Sequence, residues 1–392
     1  LLPEKSGSEY EYDLILSKAW RLTGKHVNGF PLISEKLIVN NSIRFIFAKA
    51  GNKWTEYDGN IKQKQSSFRS DQYVGSATSF EMYAACPYRY FLSQRLRVEP
   101  TKSPYIRHTL DPLEFGTLIH DILEQFSLRR LRRKNKNPTI DKQIKYMTQE
   151  VDSSISKLKE QTPGLSEGAW KIERSRILHV LHRWLRNESS TARYPEMRQI
   201  EAEYSFGNDN QPSVNIQTLS GQSIRFKGQV DRIDISKDGK KVIVYDYKSG
   251  SSFNYRKLTS DPVSRGKRLQ LPIYARAIAR KYIDANVTAA YWFIDPTDPS
   301  ELKPGPGNYL QDETDSSMQN AVEIIADGMD KGNYPARPGD SINHRTPSFE
   351  NCRLCEYRRI CPESKARLWN LKKFSDDSLR RYVDLSEGGP NE

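Results

Sequence analysis

The chain of 392 residues has only four cysteines and six histidines. Its opening segment, LLPEKSGSEYEYD, has neither the basic region nor the apolar core of a signal peptide. Without a secretion signal, a disulfide role for the cysteines is disfavoured. No apolar run is long enough to span a bilayer, which excludes a helical membrane protein and points to the cytoplasm. No G-x-x-x-x-G-K-[ST] occurs, so these residues carry no ATP-binding P-loop of their own. No internal repeat is visible. The first residue is Leu, which suggests a fragment or a trimmed chain.

What is abundant is positive charge. Lys and Arg number 61 against 49 Asp and Glu, a formal charge of +12. That sign favours a polyanionic partner, nucleic acid first among them. The 21 Tyr and six Trp exclude a disordered basic tail. The length suits two domains, or one large domain with insertions.

The pattern along the chain predicts a mixed α/β core with helical insertions. Residues 1–75 read as a separate N-terminal region in which KLIVNNSIRFIFA suggests a β-hairpin, followed by a polar linker, GNIKQKQSSFRSDQ. A helix with Ser79 as cap is expected in SFEMYAACPYRYFL. The next helix is marked by Asp111 as N-cap, Pro112 at the first position and Glu114 closing a capping box. It carries His120 and Glu124 on one face and runs into the basic stretch Arg129, Arg130, Arg132, Arg133, Lys134 and Lys136. Helices over about 140–160 and 168–190 follow, then strands over 199–249, a helix in QLPIYARAIARKY, a strand TAAYWFID, the loop PTDPSELKPGPGN and a helix near 315–331. The main domain is placed at 76–375, and 376–392 reads as a flexible tail.

The sharpest local signal is GQVDRIDISKDGKKVIVYDYKSG. A type I′ turn centred on Asp238-Gly239 pairs Ile235 with Val242, Ile233 with Val244, and Asp231 with Asp246. All six lie on one face, and Lys248 extends it. Two facing carboxylates roughly 5 Å apart repel by on the order of 3 kcal/mol at an effective dielectric of 20. Mg²⁺ would answer that repulsion, and a lysine beside it suits phosphate chemistry. The plainer alternative is a solvated strand end.

Three cysteines cluster as C-x2-C-x5-C, at Cys352, Cys355 and Cys361, and the fourth, Cys86, lies 266 positions upstream. Four thiolates can hold a [4Fe–4S] cluster or Zn²⁺. Zinc sites more often use two close pairs, so the trio-plus-one favours iron–sulfur. Either metal would staple the Cys86 segment to the C-terminus.

Taken together these motifs resemble the RecB-like branch of the PD-(D/E)XK nucleases, and within it the nuclease part of AddB-type subunits of helicase–nuclease repair complexes. The resemblance covers about 78–365. It implies a restriction-endonuclease-like core, a mixed sheet flanked by helices with a C-terminal iron–sulfur staple. It implies metal binding by His120 in FGTLIHDILEQF, Asp231 in GQVDRIDI and Asp246 in VIVYDYKSG, with the Tyr247 carbonyl as a further ligand and Lys248 as the catalytic lysine. Gln270 and Tyr274 of QLPIYARAI match a Q-x-x-x-Y helix that lines such sites. EAEYSF offers Glu201 and Glu203 as a further carboxylate, of which Glu203 is preferred. The basic run after His120 would be a track for phosphates. The implied activity is a Mg²⁺- or Mn²⁺-dependent DNA exonuclease working with a helicase partner. Two other readings remain: a DNA-binding subunit with an inactive site, and a zinc-stapled interaction module.

Overall fold

A computed structural model of the chain describes residues 7–8, 11–12, 14–16, 18, 37–61, 69, 72–100, 107–132, 138–161, 164–190, 197–208, 210–252, 255, 258, 260–294, 312–343, 348–362 and 364–388. The segment expected as an N-terminal hairpin is instead a helix, α1, over Leu37–Ala50. Its Asn-Asn pair is a poor helix former, but Ile, Phe and Leu recur around it at helical rather than alternating spacing. Residues 62–68, at the centre of the expected linker, lie outside the described residues.

A short strand β1, Val74–Ser76, leads into α2, Ala77–Ala85. The cap of α2 is Ser76, not Ser79. The two serines form the capping box reciprocally, each backbone N–H donating to the other's hydroxyl at 3.1 Å. After Cys86 come a short helix α3, Pro87–Tyr90, and one π-helical turn, Phe91–Arg95. Helix α4, Pro112–Arg132, has the expected cap: Glu114 N–H donates to Asp111 Oδ1 at 2.8 Å, and Asp111 N–H to Glu114 Oε2 at 3.2 Å. Helices α5, Ile140–Gln161, and α6, Glu167–Ser190, complete the insertion.

Strands β2 Met197–Phe206, β3 Val214–Gln217, β4 Ser223–Ser236 and β5 Lys241–Lys248 follow, then α7 Gln270–Lys281 and β6 Asn286–Phe293. With β1 they make a six-stranded mixed sheet. Strand β4 is its axis. On one edge it pairs antiparallel with β3 and then β2. On the other it pairs with β1 up to Lys227 and with β5 from Arg232, leaving 228–231 without a strand on that edge. Strand β6 runs parallel to β5.

The β4–β5 register is the expected one, with Ile235 opposite Val242 and Ile233 opposite Val244. The turn differs from the I′ expectation. Only Gly239 has positive φ, at +74°, and Gly239 N–H donates to Ser236 O at 3.0 Å. A four-residue loop of this kind, centred on the same dipeptide, preserves the same pairing.

Alternation along β5 divides the core into two layers. Val242 and Val244 face α2, α7 and α8 (Asp312–Asp330). Ile243, Tyr245 and Tyr247 face the apolar sides of α4, α5 and α6. Strands β7 Ser341–Asn343 and β8 Ser348–Phe349 form a small hairpin before the cysteine trio, followed by α9 Lys365–Lys372 and α10 Arg380–Glu387. The expected frayed tail is packed over most of its length: Leu379, Tyr382 and Val383 are buried in the first layer. The N-terminal region is tied to the same end, since Lys372 Nζ donates to Asp58 Oδ2 at 2.7 Å and to Ala48 O at 2.6 Å.

Candidate active site and a four-cysteine pocket

The interrupted edge of β4 is where the polar residues gather. Asp231 lies one step beyond the last registered β4–β5 pair, Arg232 with Tyr245. Its Oδ2 accepts the Tyr247 backbone N–H at 2.6 Å, in the place of a strand carbonyl. Its Oδ1 lies 3.5 Å from His120 Nδ1, delivered by α4. Asp246 is buried one residue before Tyr247, and Lys248 Nζ sits 2.5 Å from its Oδ2. The same ammonium donates to Gln270 Oε1 at 2.8 Å, from the first turn of α7. Tyr274, one turn on, lies against Gln270 with Asp246 and Asp231 in electrostatic reach. Gly228 opens this corner, because a Cβ there would stand 2.7 Å from Phe206 Cζ and 3.0 Å from Tyr274 Cε1.

Glu203 also enters the site. It falls between the registered pairs Ala202–Arg232 and Tyr204–Val230, which sets it opposite Asp231. Strand β2 is irregular just before it, between Gln199 and Glu201, and Glu203 itself has φ of +53°. A left-handed glutamate within a strand is strained, and such strain concentrates at functional sites. Gln229 Nε2 donates to its Oε2 at 2.6 Å. Glu201, the other candidate, is held by Lys281.

The electrostatics follow from this crowding. Burial, then the Asp231 and Glu124 charges, push the Glu203 carboxyl up to about 8. Burial raises Asp246 while the Lys248 ammonium opposes it. Burial alone would lower His120, but the hydrogen bond and charge of Asp231 lift it to about 9. The repulsion anticipated between Asp231 and Asp246 is therefore partly answered by the protein's own Lys248 and His120. Among the described residues no group of three or more His, Cys, Asp or Glu side chains is gathered to ligate a single ion. The Tyr247 ring packs on the opposite face, against His120 and Trp184, so this residue reaches the site through its backbone.

Of the basic run after His120, two members are engaged by acids and Arg132 is exposed. Arg129 pairs with Glu150 at 2.9 Å, and Arg130 pairs with Glu188 at 2.9 Å. Arg133, Lys134 and Lys136 lie outside the described residues. Glu188 also bonds Arg232, whose guanidinium grips Asp234 at 2.7 and 2.8 Å. This network locks α4 and α6 to β4 directly behind Asp231. Neither it nor Glu81, which accepts the Leu269 and Gln270 amides, is marked in the sequence.

The four cysteines line one pocket and form no disulfide. Two contacts beside them bring the distant segments together. Asn351 Nδ2 donates to Ala85 O at 2.7 Å, and Arg89 pairs with Glu356 at 2.9 Å. Burial pushes the Cys86 thiol up to about 12, with Cys361 and Cys355 adding to it, and Cys361 rises to about 11.

A model of the PD-(D/E)XK nuclease superfamily matches residues 75–362. The chain belongs to this superfamily. Its mixed sheet between helical layers is the core expected of a member. It is also distantly similar to AddB proteins, named as subunits of an ATP-dependent helicase/deoxyribonuclease. The one from Clostridioides difficile is 26% identical over 283 residues, 69% of this chain and 23% of the relative. Those from Caldanaerobacter subterraneus and Clostridium tetani are 26% and 27% identical, over 61% and 54% of this chain. The chain spans about a fifth of the length of these curated relatives. No helix among the described residues is long and apolar enough to cross a membrane.

Proposed function

We propose that this chain is a metal-dependent deoxyribonuclease, an exonuclease that processes DNA ends in double-strand break repair beside a helicase partner. The observation that carries it is the position of Lys248, between Asp246 and Gln270, with Asp231, His120 and Glu203 around the same gap in β4. These are the donor types that a hard divalent cation, Mg²⁺ or Mn²⁺, takes: carboxylate oxygens, one imidazole, and the Tyr247 carbonyl at the strand end; they line one gap without converging, and binding would draw them together. When bound, the cation supplies Lewis-acid activation of water and of the scissile phosphate.

The protein's own groups do the rest. Lys248 keeps its proton, because Asp246 outweighs the cost of burial. Its ammonium therefore faces the phosphate as a fixed positive charge and stabilises the negative charge that grows there. Gln270 holds that ammonium in place. Tyr274 likewise keeps its proton, since burial and the two carboxylates oppose ionisation, and it offers a hydroxyl donor beside Gln270. Asp231, fixed by the Tyr247 amide, and His120 are held in orientation before any ligand arrives.

For the cysteine pocket we prefer a [4Fe–4S] cluster, with zinc as the alternative: four thiols from two distant segments share one lining, whereas structural zinc sites more often use two close cysteine pairs. Its role here is structural, holding α2 against the C-terminal segment. The reading is tested by incubating anaerobically purified chain with linear single- and double-stranded DNA, with Mg²⁺ and with chelator. Cleavage that stops on chelation and returns with Mg²⁺ supports it; DNA binding without cleavage supports an inactive DNA-binding role instead.

A further inference from the structure

Beside the cysteine pocket lies a partly open cavity of about 200 Å³, walled by α1, the turn after it, α3 and α9. None of its lining residues belongs to the proposed catalytic set. Trp54 and Lys365 line it from outside the stretch 75–362 that the superfamily model matches, so the cavity is not built from the shared core alone. Tyr88 and Lys365 line the cysteine pocket as well.

Two aromatic rings of this cavity are unclaimed. Trp54 and Tyr88 are each half-buried, and among the described residues neither packs ring to ring with another aromatic. The Trp54 indole N–H is itself buried, so this ring offers apolar surface rather than a donor. The cavity also holds a cation that no acid engages. Of its three lysines, Lys49 and Lys372 both grip Asp58, at 3.2 and 2.7 Å. Lys365 is half-buried, reaches the Pro362 carbonyl at 3.4 Å, and meets no acid among the described residues. Its charge is felt by the Cys361 thiol on one side and is open to the cavity on the other. Glu56, the other acid in the lining, is exposed, so the three lysines leave the wall positive.

We propose that this cavity receives one unpaired base of a DNA single strand, laid against the Trp54 and Tyr88 rings, with the adjoining phosphate facing Lys365. The proposal rests on the nuclease reading and gives its substrate a second anchor, outside the catalytic set. Every base has a face that stacks on an aromatic ring, so such a site holds a strand without reading its sequence. Drug-sized ligands take roughly 300–1,000 Å³, so a cavity of about 200 Å³ suits a single base and is too small for a base pair. The positive wall suits a strand that carries a charge at every phosphate.

The test measures binding, so that it does not depend on cleavage. The full chain carrying Lys248→Ala, purified without oxygen and given no divalent cation, is titrated across a salt series with a short fluorescent single-stranded oligodeoxynucleotide and with a blunt duplex. Adding Trp54→Leu or Tyr88→Leu is expected to weaken single-strand binding about tenfold at an unchanged salt slope, and to leave duplex binding at the parental level. Lys365→Gln should reduce the slope of log K against log salt by about 0.7. Parental single-strand affinity in either folded ring variant overturns the proposal while leaving the nuclease reading intact, and so does an equal loss on the duplex. A parental slope in Lys365→Gln overturns the phosphate contact. Should Tyr88→Leu fail to fold, Trp54→Leu decides, since Trp54 stands on a segment without cysteines. If the Lys248→Ala parent binds no DNA at any salt, the nuclease reading falls and this site with it.

Discussion

Glu81 accepts the Gln270 backbone N–H at 3.0 Å and that of Leu269 at 2.5 Å, so a side chain of α2 caps the start of α7. Helix α2 ends at Cys86, and Gln270 holds Lys248. The cysteine pocket and Lys248 are thus joined by one helix and two hydrogen bonds. Glu81→Ala leaves two amides orphaned. It should cost about 1–2 kcal/mol in urea unfolding and lower the cleavage rate about tenfold. Glu81→Gln retains an acceptor and should recover part of both.

Glu203 combines a left-handed backbone with a carboxylate that burial and Asp231 hold protonated near neutral pH. Both features oppose folding. Glu203→Gly should therefore leave the metal-free chain about 1 kcal/mol more stable, while lowering cleavage at least tenfold. Thermal unfolding in chelator and a cleavage assay on the same sample check the two halves.

Much of this is legible in the sequence. The 2-residue period of β4 and β5 and the Asp238-Gly239 turn set the register that brings Asp231 towards Asp246. The capping box at Asp111 marks the start of the helix that carries His120. What cannot be read is chosen by partners remote in sequence. Arg130 reads as one more cation of a basic run until Glu188 meets it from 58 residues away. The choice of Glu203 over Glu201 depends on a strand irregularity and on Lys281, neither of which leaves a local mark. The tail after 375 reads as frayed because its charged residues hide a short apolar face, Leu379, Tyr382 and Val383.

The Glu188 network predicts a pH dependence of stability. Arg130 and Arg232 outweigh the cost of burial and hold the Glu188 carboxyl at about 2, below its ordinary 4.5. A depressed carboxylate contributes stability that is fully present above its unfolded value and is lost as pH falls towards the folded one. The loss between pH 4.5 and 2 should be ~3 kcal/mol from this group. Glu188→Gln should be less stable than wild type by a similar amount at pH 7, and its stability should fall less steeply on acidification. Urea midpoints from pH 2 to 7 check this.

Cys86 should matter to the metal as much as the trio does. Chain purified without oxygen should be brown and contain iron and acid-labile sulfide. Cys86→Ser should lose iron as completely as Cys355→Ser despite its place in another part of the sequence. A colourless chain holding one zinc would favour the zinc-stapled reading.

The most direct measurement of the central claim is cleavage of linear DNA with Mg²⁺ by wild type, Lys248→Ala and Asp246→Asn, each shown to be folded. The account predicts that wild type cleaves and that both variants lose at least a hundredfold in rate, with DNA binding retained in Lys248→Ala. Equal rates in all three, or no cleavage by any of them, would contradict it.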